Sequence, residues 1–161
     1  MKDRDEPDEP GKQDEGSDRN GRNDPFDLER FVEAQAPLLE QVRSELRHGS
    51  KRGHWMWFVF PQMKGLGSSP TSAFYAIVSR EEAAAYLKHP LLGPRLVECC
   101  RLVLAARGRT SEEIFGDVDS AKFRSSMTLF AQVTLREPVF EEALARYFDG
   151  EGDPRTLEML E

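Results

Sequence analysis

The sequence of 161 residues predicts an all-α fold, in which a disordered acidic tail precedes a single compact domain of six to seven helices. Apolar residues recur at helical spacing through most of the chain after residue 23. Patterns typical of helix starts precede several of these stretches. Only one short run, residues 54–60, has a pattern that a strand would also show, so we expect at most one strand.

Residues 1–23 form a charged tail that we expect to be disordered. Met1 is its one apolar residue, and the rest are charged residues, Pro, Gly, Ser, Gln and Asn. Such a segment cannot bury enough apolar surface to offset the entropy of the chain. Its eight acids and five bases give a net charge of −3, which leaves −4 of the total of −7 for the single helical domain expected over residues 24–161.

The first half of the expected domain contains one long helix and one ambiguous segment. Asp24-Pro25 predicts a helix start, because Asp accepts hydrogen bonds at the N-cap and Pro suits the first helical position. The helical pattern continues to Gly49, with a kink or a break at Pro37. Residues 54–60 fit a buried strand or a buried helical turn, since periodicity cannot classify a short apolar run. Residues 65–72, GLGSSPTS, indicate a loop.

Capping patterns mark the helices of the second half. Ser79 with Glu82, and Thr110 with Glu113, have the spacing of capping boxes. The first box opens a helix that stops before Pro90, and the second opens a short helix. The remaining helices are predicted over residues 92–106, 119–134, 138–148 and 154–160.

The composition disfavours several classes of function. A net acidic domain argues against duplex DNA as a partner, because phosphate contacts need clustered Lys and Arg. The N-terminus lacks the apolar region of a signal peptide, and no apolar stretch approaches the roughly 20 residues of a membrane span. We therefore expect no membrane partner and a cytoplasmic location.

The two cysteines and the absent motifs narrow the chemistry further. Cys99 and Cys100 are adjacent, and neighbours in a helix point in different directions, so we expect no mutual disulfide and a reducing compartment. The sequence lacks the zinc, serine-hydrolase and P-loop motifs. We expect no metal and no cofactor.

The first candidate site is the segment KRGHWMWFVFPQMKGLG, residues 51–67, which contains both tryptophans. So much aromatic surface must be buried, and polar groups frame it. The histidine is a candidate general base, proton donor or ligand contact, or it caps an aromatic core with one hydrogen bond. The tryptophans belong to the core or form a stacking wall for a base or sugar. The candidates here are His54, Trp55, Trp57, Gln62 and Lys64.

The second candidate site lies in the helical stretch DSAKFRSSMTLF. Lys122, Ser125, Ser126 and Leu129 share one side of this helix, which we expect to lie opposite the core face. An ammonium and two hydroxyls near a helix start suit a phosphate or a carboxylate, and Arg124 would add a bidentate contact. The alternative is a solvated face on which the serines bond back to the preceding turn.

Six segments, in order along the chain, carry a resemblance to a known family. Through these segments the chain resembles the bacterial domain-of-unknown-function family 1810, and the resemblance covers essentially residues 24–160. The segments are DPFDLERFVEAQ (24–35), KRGHWMWFVFPQMKGLGSSPTS (51–72), YAI (75–77), EEAAAYLKHPLLGPRL (81–96), EIFGDVDSAKFRSSMTLF (113–130) and VFEEALARYFDGEGDPRTLEML (139–160).

The resemblance implies a compact all-helical domain and supplies no established catalytic residues. Family members are often labelled calpastatin in genome annotation. True calpastatin inhibits calpain through long disordered repeats, whereas this sequence indicates a folded body without a repeated segment. We therefore do not expect calpain inhibition.

These observations favour a cytoplasmic helical domain that binds a polar anionic small molecule, such as a nucleotide or an ADP-ribose-like ligand. In this hypothesis the two candidate segments face one cleft. Whether the protein is an enzyme stays open, and if it is, hydrolysis assisted by His54 is the expected reaction. The alternative is a non-catalytic protein-interaction module. Binding of RNA through exposed tryptophans is a third hypothesis, which the acidic net charge disfavours.

Overall fold

The computed structural model describes residues 24–161, and the predicted disordered tail of residues 1–23 lies outside them. Over the described residues the prediction of an all-α fold is confirmed, with ten α-helices, a 3₁₀ turn at Ala36–Leu38 and a parallel β-bridge between Met63 and Ile77. The helices are α1 (Glu29–Gln35), α2 (Leu39–Arg47), α3 (Met56–Val59), α4 (Pro70–Phe74), α5 (Arg80–Lys88), α6 (Leu92–Ala105), α7 (Ser111–Phe115), α8 (Asp117–Val133), α9 (Val139–Phe148) and α10 (Pro154–Met159).

The predicted start of the first helix at Asp24-Pro25 is wrong. Asp27 has a left-handed backbone conformation, with φ of 55°, and this interrupts a helix. The carboxylate of Asp24 still accepts hydrogen bonds from the backbone N–H groups of Leu28 and Glu29, at 2.6 and 3.0 Å. The Asp24 carboxylate, which lies one turn before α1, therefore satisfies the free backbone N–H groups at the start of that helix. The predicted break at Pro37 is confirmed, since the 3₁₀ turn separates α1 from α2.

Two short helices form where the sequence was ambiguous or indicated a loop. The apolar run 54–60 contains the single helical turn α3, and this resolves the choice between a strand and a helical turn. The loop predicted over residues 65–72 is wrong at its end, because α4 begins at Pro70. Ser69 caps α4 by accepting a hydrogen bond from the N–H of Ser72, at 3.0 Å.

The two predicted capping boxes have different outcomes. Thr110 and Glu113 form the complete reciprocal pair at the start of α7. Ser79 accepts from the N–H of Glu82, but the Glu82 carboxylate bonds the N–H of Val78 and the guanidinium of Arg30, both at 2.9 Å. The Glu82–Arg30 pair is buried, and the carboxylate thus combines a long-range partner with the N–H of Val78 in place of the N–H of Ser79.

Helix α8 is the central element of the described fold. It packs against α5, α7, α9 and α10. The Phe123 ring on α8 lies 5.0 Å from the ring of Phe60 and 4.8 Å from that of Phe115, measured between centroids. Each such fully buried aromatic side chain contributes about 1.5–3 kcal/mol to stability. Because α8 has neighbours on several sides, only a narrow strip of it reaches the surface.

Cys99 and Cys100 are free and buried in α6, so they form no mutual disulfide, as predicted. Burial raises the pKa of the Cys99 thiol to about 12 and that of Cys100 well above its usual value. Both thiols are therefore protonated at neutral pH and poor nucleophiles. In the described part of the chain, no helix is both long and apolar enough to cross a membrane.

Candidate functional site

Two adjoining hollows, which we call the cleft, lie between the start of α8, the loop after Pro61 and the start of α10. The larger is an open groove of about 560 Å³, and the smaller is a narrow hollow beside Trp57 and Ser72. Gln62 and Lys122 line both hollows. One residue from each candidate segment thus stands at the junction.

Lys122 is the cation at the junction. Its Nζ lies 5.6 Å from the centroid of the Trp57 ring, within the range of a cation–π contact. Its ion pair with Asp119 is long, at 4.0 Å, whereas Lys51 approaches the same carboxylate to 2.7 Å. Because Lys51 neutralises Asp119, the charge of Lys122 remains largely uncompensated.

Gln62 is held in the cleft by its backbone. Its carbonyl accepts a hydrogen bond from the N–H of Ile77, and the N–H of Lys64 donates to the Ile77 carbonyl, both at 2.9 Å. The Gln62 side chain makes no hydrogen bond with any residue in the range 24–161. Its amide therefore offers a donor and an acceptor on a fixed piece of backbone.

Arg124 has a structural role that the sequence did not indicate. Its guanidinium donates to the carbonyl oxygens of Glu151 and Gly152, at 3.0 and 3.2 Å. One turn further along α8, Thr128 accepts a hydrogen bond from the N–H of Asp153, at 2.9 Å. Together these bonds fasten the turn before α10 to α8. Arg124 lines the cleft, but its guanidinium is already engaged.

The two serines lie in different places. Ser125 lines the cleft and its hydroxyl donates to the carbonyl of Ala121, at 3.2 Å, as expected for a serine that bonds back to the preceding turn. Ser126 is fully buried and its hydroxyl has no partner among the described residues. The prediction that this side of the helix faces away from the core is wrong, since Ser126 and Leu129 are both fully buried. Other helices cover that side of α8.

Of the remaining candidate residues in the first segment, only Trp57 lines the cleft. His54 and Lys64 are exposed and belong to neither hollow. Trp55 is fully buried, and its indole N–H donates to the carboxylate of Glu45 at 2.8 Å. The aromatic run is thus mainly core, and Trp57 is its half-buried member beside Lys122.

Four charged residues of the cleft lie outside the two candidate segments. Arg155 on α10 donates to the carbonyl of Gly65 at 3.3 Å, and it adds a cation to Lys122 and Arg124 in the larger hollow. Glu112, Asp117 and Asp153 add carboxylates to the same hollow. The Asp153-Pro154 pattern predicts the helix that carries Arg155. No local pattern indicates that this helix folds against the loop at residue 65.

Comparison of the chain with known proteins identifies its family and a solved structure of similar fold. A family model described as "Protein of unknown function (DUF1810)" matches residues 25–160. The chain belongs to the DUF1810 family. The solved structure of the conserved hypothetical protein Rv1873 from Mycobacterium tuberculosis is 59% identical to this DUF1810 protein, with a TM-score of 0.84. The match covers 84% of this chain and 97% of that chain. No curated protein matches the chain.

Proposed function

We propose that this DUF1810 protein binds a small anionic molecule in the cleft, with a nucleotide or an ADP-ribose-like molecule as the ligand class. The observation that carries the proposal is the uncompensated charge of Lys122 beside the face of Trp57. An anion in the larger hollow would pair with the ammonium group. The indole lines only the smaller hollow of about 10 Å³, where it holds the ammonium group by the cation–π contact.

The other polar groups of the cleft suit the sugar part of such a ligand. Glu112 and Asp117 are exposed carboxylates that line the larger hollow, and carboxylates accept hydrogen bonds from sugar hydroxyls. The free amide of Gln62 would bond a base edge or a hydroxyl. A volume of about 560 Å³ falls within the range of about 300–1,000 Å³ common for ligand pockets.

The proposal concerns binding and leaves hydrolysis to experiment. A general base is usually oriented by a third group, and the exposed His54 has no hydrogen-bond partner within residues 24–161. The compartment we propose is the cytoplasm, where the free thiols of Cys99 and Cys100 would stay reduced.

A thermal-shift screen of the full chain against nucleotides, ADP-ribose, sugar phosphates and small carboxylates tests the proposal. A ligand present at 100 times its dissociation constant adds about 2.7 kcal/mol to the free energy of unfolding, which raises Tm measurably. We expect a hit from the phosphate-bearing compounds. Incubation of the hit with the protein, followed by product analysis, then decides whether it is hydrolysed.

Variants of two lysines locate the binding site. Lys122→Gln removes the central cation and should abolish the shift, whereas Lys64→Gln changes an exposed lysine outside both hollows and should leave the shift intact. Equal shifts in both variants would refute a site at Lys122. A flat screen would refute the proposal and favour the alternative function, a non-catalytic protein-interaction module.

A further inference from the structure

A second groove, which we call the α5–α6 groove, lies apart from the cleft and shares no residue with it. It is an open surface depression of about 1080 Å³ between the end of α5, the start of α6 and the turn after α8. Its floor is formed by the aliphatic side chains of Leu87, Val97 and Val133, all half-buried, and Pro94 extends this surface at its edge. This floor gives the groove an apolar character that the cleft lacks.

Leu135 stands at the rim of the α5–α6 groove. Its side chain is 97% exposed, although it belongs to the turn that forms one wall. A single exposed leucine is ordinary on a protein surface. Next to an open aliphatic floor, however, it adds an exposed apolar side chain to the rim of the groove. Exposed apolar side chains gathered at a groove can pack against the side chains of a bound partner.

The charges around the groove indicate what kind of molecule would bind there. Its two carboxylates are already paired within the chain, Glu98 with Arg43 at 2.9 Å and Glu137 with Arg101 at 3.0 Å. The two cations of the groove, in contrast, are unpaired. Neither the Lys88 nor the Arg136 side chain makes a hydrogen bond or an ion pair within the described range 24–161. The uncompensated charge at the rim is therefore positive, although the whole chain has a net charge of −7.

We propose that the α5–α6 groove binds a peptide segment of another protein, in which bulky apolar residues are flanked by Asp or Glu. The apolar residues pack on Leu87, Val97 and Leu135, and the acidic residues pair with Lys88 and Arg136. Both parts of the recognition are needed: the apolar contacts supply affinity, and the charges select the partner and speed its association.

Selection of peptides from an unbiased random 12-residue display library, with the full chain as bait, tests this proposal. We expect the enriched peptides to contain Leu, Ile, Met or Phe within four residues of Asp or Glu. Binding of a synthetic enriched peptide is then measured by fluorescence anisotropy. The double variant Lys88→Glu/Arg136→Glu should weaken it at least tenfold, and so should Leu135→Asp, which alters a fully exposed side chain and spares the core.

A charge-matched control separates the groove from the general effect of charge. Arg47 and Arg107 are exposed and lie outside the groove, so Arg47→Glu/Arg107→Glu makes the same change in net charge. This control should change the affinity less than twofold. Equal weakening in both double variants would overturn the proposal, as would enrichment of peptides without acidic residues or no enrichment at all.

Two other occupants would also overturn the proposal, and each has a distinct readout. A second copy of the chain would appear as a dimer in sedimentation, and Leu135→Asp would convert it to a monomer. The chain's own acidic residues 1–23 would give a carboxylate–amine cross-link to Lys88 in a zero-length cross-linking experiment on the full chain without peptide. The proposal expects a monomer and no such cross-link.

Discussion

Glu45 on α2 fastens the backbone ahead of α3, and its replacement should destabilise the protein measurably. One carboxylate oxygen accepts hydrogen bonds from the N–H groups of Arg52 and Gly53 and from the indole of Trp55, at 2.8, 3.0 and 2.8 Å. Burial alone raises the pKa of Glu45. The hydrogen bonds from Gly53, Arg52, Trp55 and Gln41 outweigh it and lower the pKa to about 2.

The pKa sets the magnitude of the expected effect. Each pKa unit corresponds to about 1.4 kcal/mol, so a fall from the usual value of 4.5 to about 2 corresponds to about 3 kcal/mol. Glu45 is partly exposed, and solvent screening reduces the expected contribution to about 2 kcal/mol. We predict that Glu45→Gln lowers the free energy of unfolding by this amount at pH 7. In this variant the indole N–H of Trp55 would donate to a neutral amide oxygen instead of a charged carboxylate.

The sign of the pH dependence follows from the direction of the shift. A carboxyl group whose pKa is lower in the folded state stabilises the protein fully above the unfolded value of about 4.5. That contribution falls as the pH drops toward about 2. The difference in stability between the wild type and Glu45→Gln should therefore be largest near neutral pH and shrink by about half at pH 3.

Urea unfolding followed by tryptophan fluorescence at pH 7, 5 and 3 measures this difference. Glu141→Gln is the control, since Glu141 is exposed and its side chain has no hydrogen bond or ion pair among residues 24–161. The reasoning would be refuted if Glu45→Gln were as stable as the control at pH 7. It would also be refuted if the difference did not change between pH 7 and pH 3.

Two further substitutions test the packing around α8 and at the α5–α6 corner. Ser126→Ala should raise the free energy of unfolding by about 1 kcal/mol, because it removes a buried hydroxyl that has no partner in the described structure. A lower free energy of unfolding in urea would show instead that the hydroxyl is bonded. Gly93→Ala should lower that free energy by about 3 kcal/mol, because its Cβ would overlap the backbone carbonyl of Leu87. Gly152→Ala is the milder control, since its Cβ would approach side-chain atoms only, the nearest being the Thr128 Cγ2 at 3.0 Å. Equal Tm values for the two glycine variants would contradict the steric argument.

Local patterns predicted the helices well where the interactions are local. Thr110 and Glu113 form their capping box because both partners lie within one turn. Asp153 caps α10 in the same way, by accepting from the N–H of Thr156 at 2.9 Å. The prediction failed at Asp24-Pro25, where a left-handed residue three positions later delays the helix. It was incomplete at Glu82, whose carboxylate is taken by Arg30 from a distant helix.

The candidate site was predicted only in part. Lys122, Gln62 and Trp57 come together at the cleft, and their residue types alone drew attention to them. Arg124 and Trp55 were singled out for the same reason, but they bond the turn before α10 and the carboxylate of Glu45. A residue type indicates what a side chain can do, and only its neighbours decide whether it is still free to do so.

The sequence by itself determined the all-α class, the capped helix starts and the burial of most of the aromatic run, because these depend on residues within one or two turns or on the large apolar area of the run. Only the tertiary structure decided which polar groups stay free. Lys122 is only loosely paired because Lys51, from another part of the chain, lies closer to Asp119. Arg155 reaches the cleft because α10 packs against α8. Such long-range pairings depend on how whole helices pack together, and no short stretch of sequence encodes them.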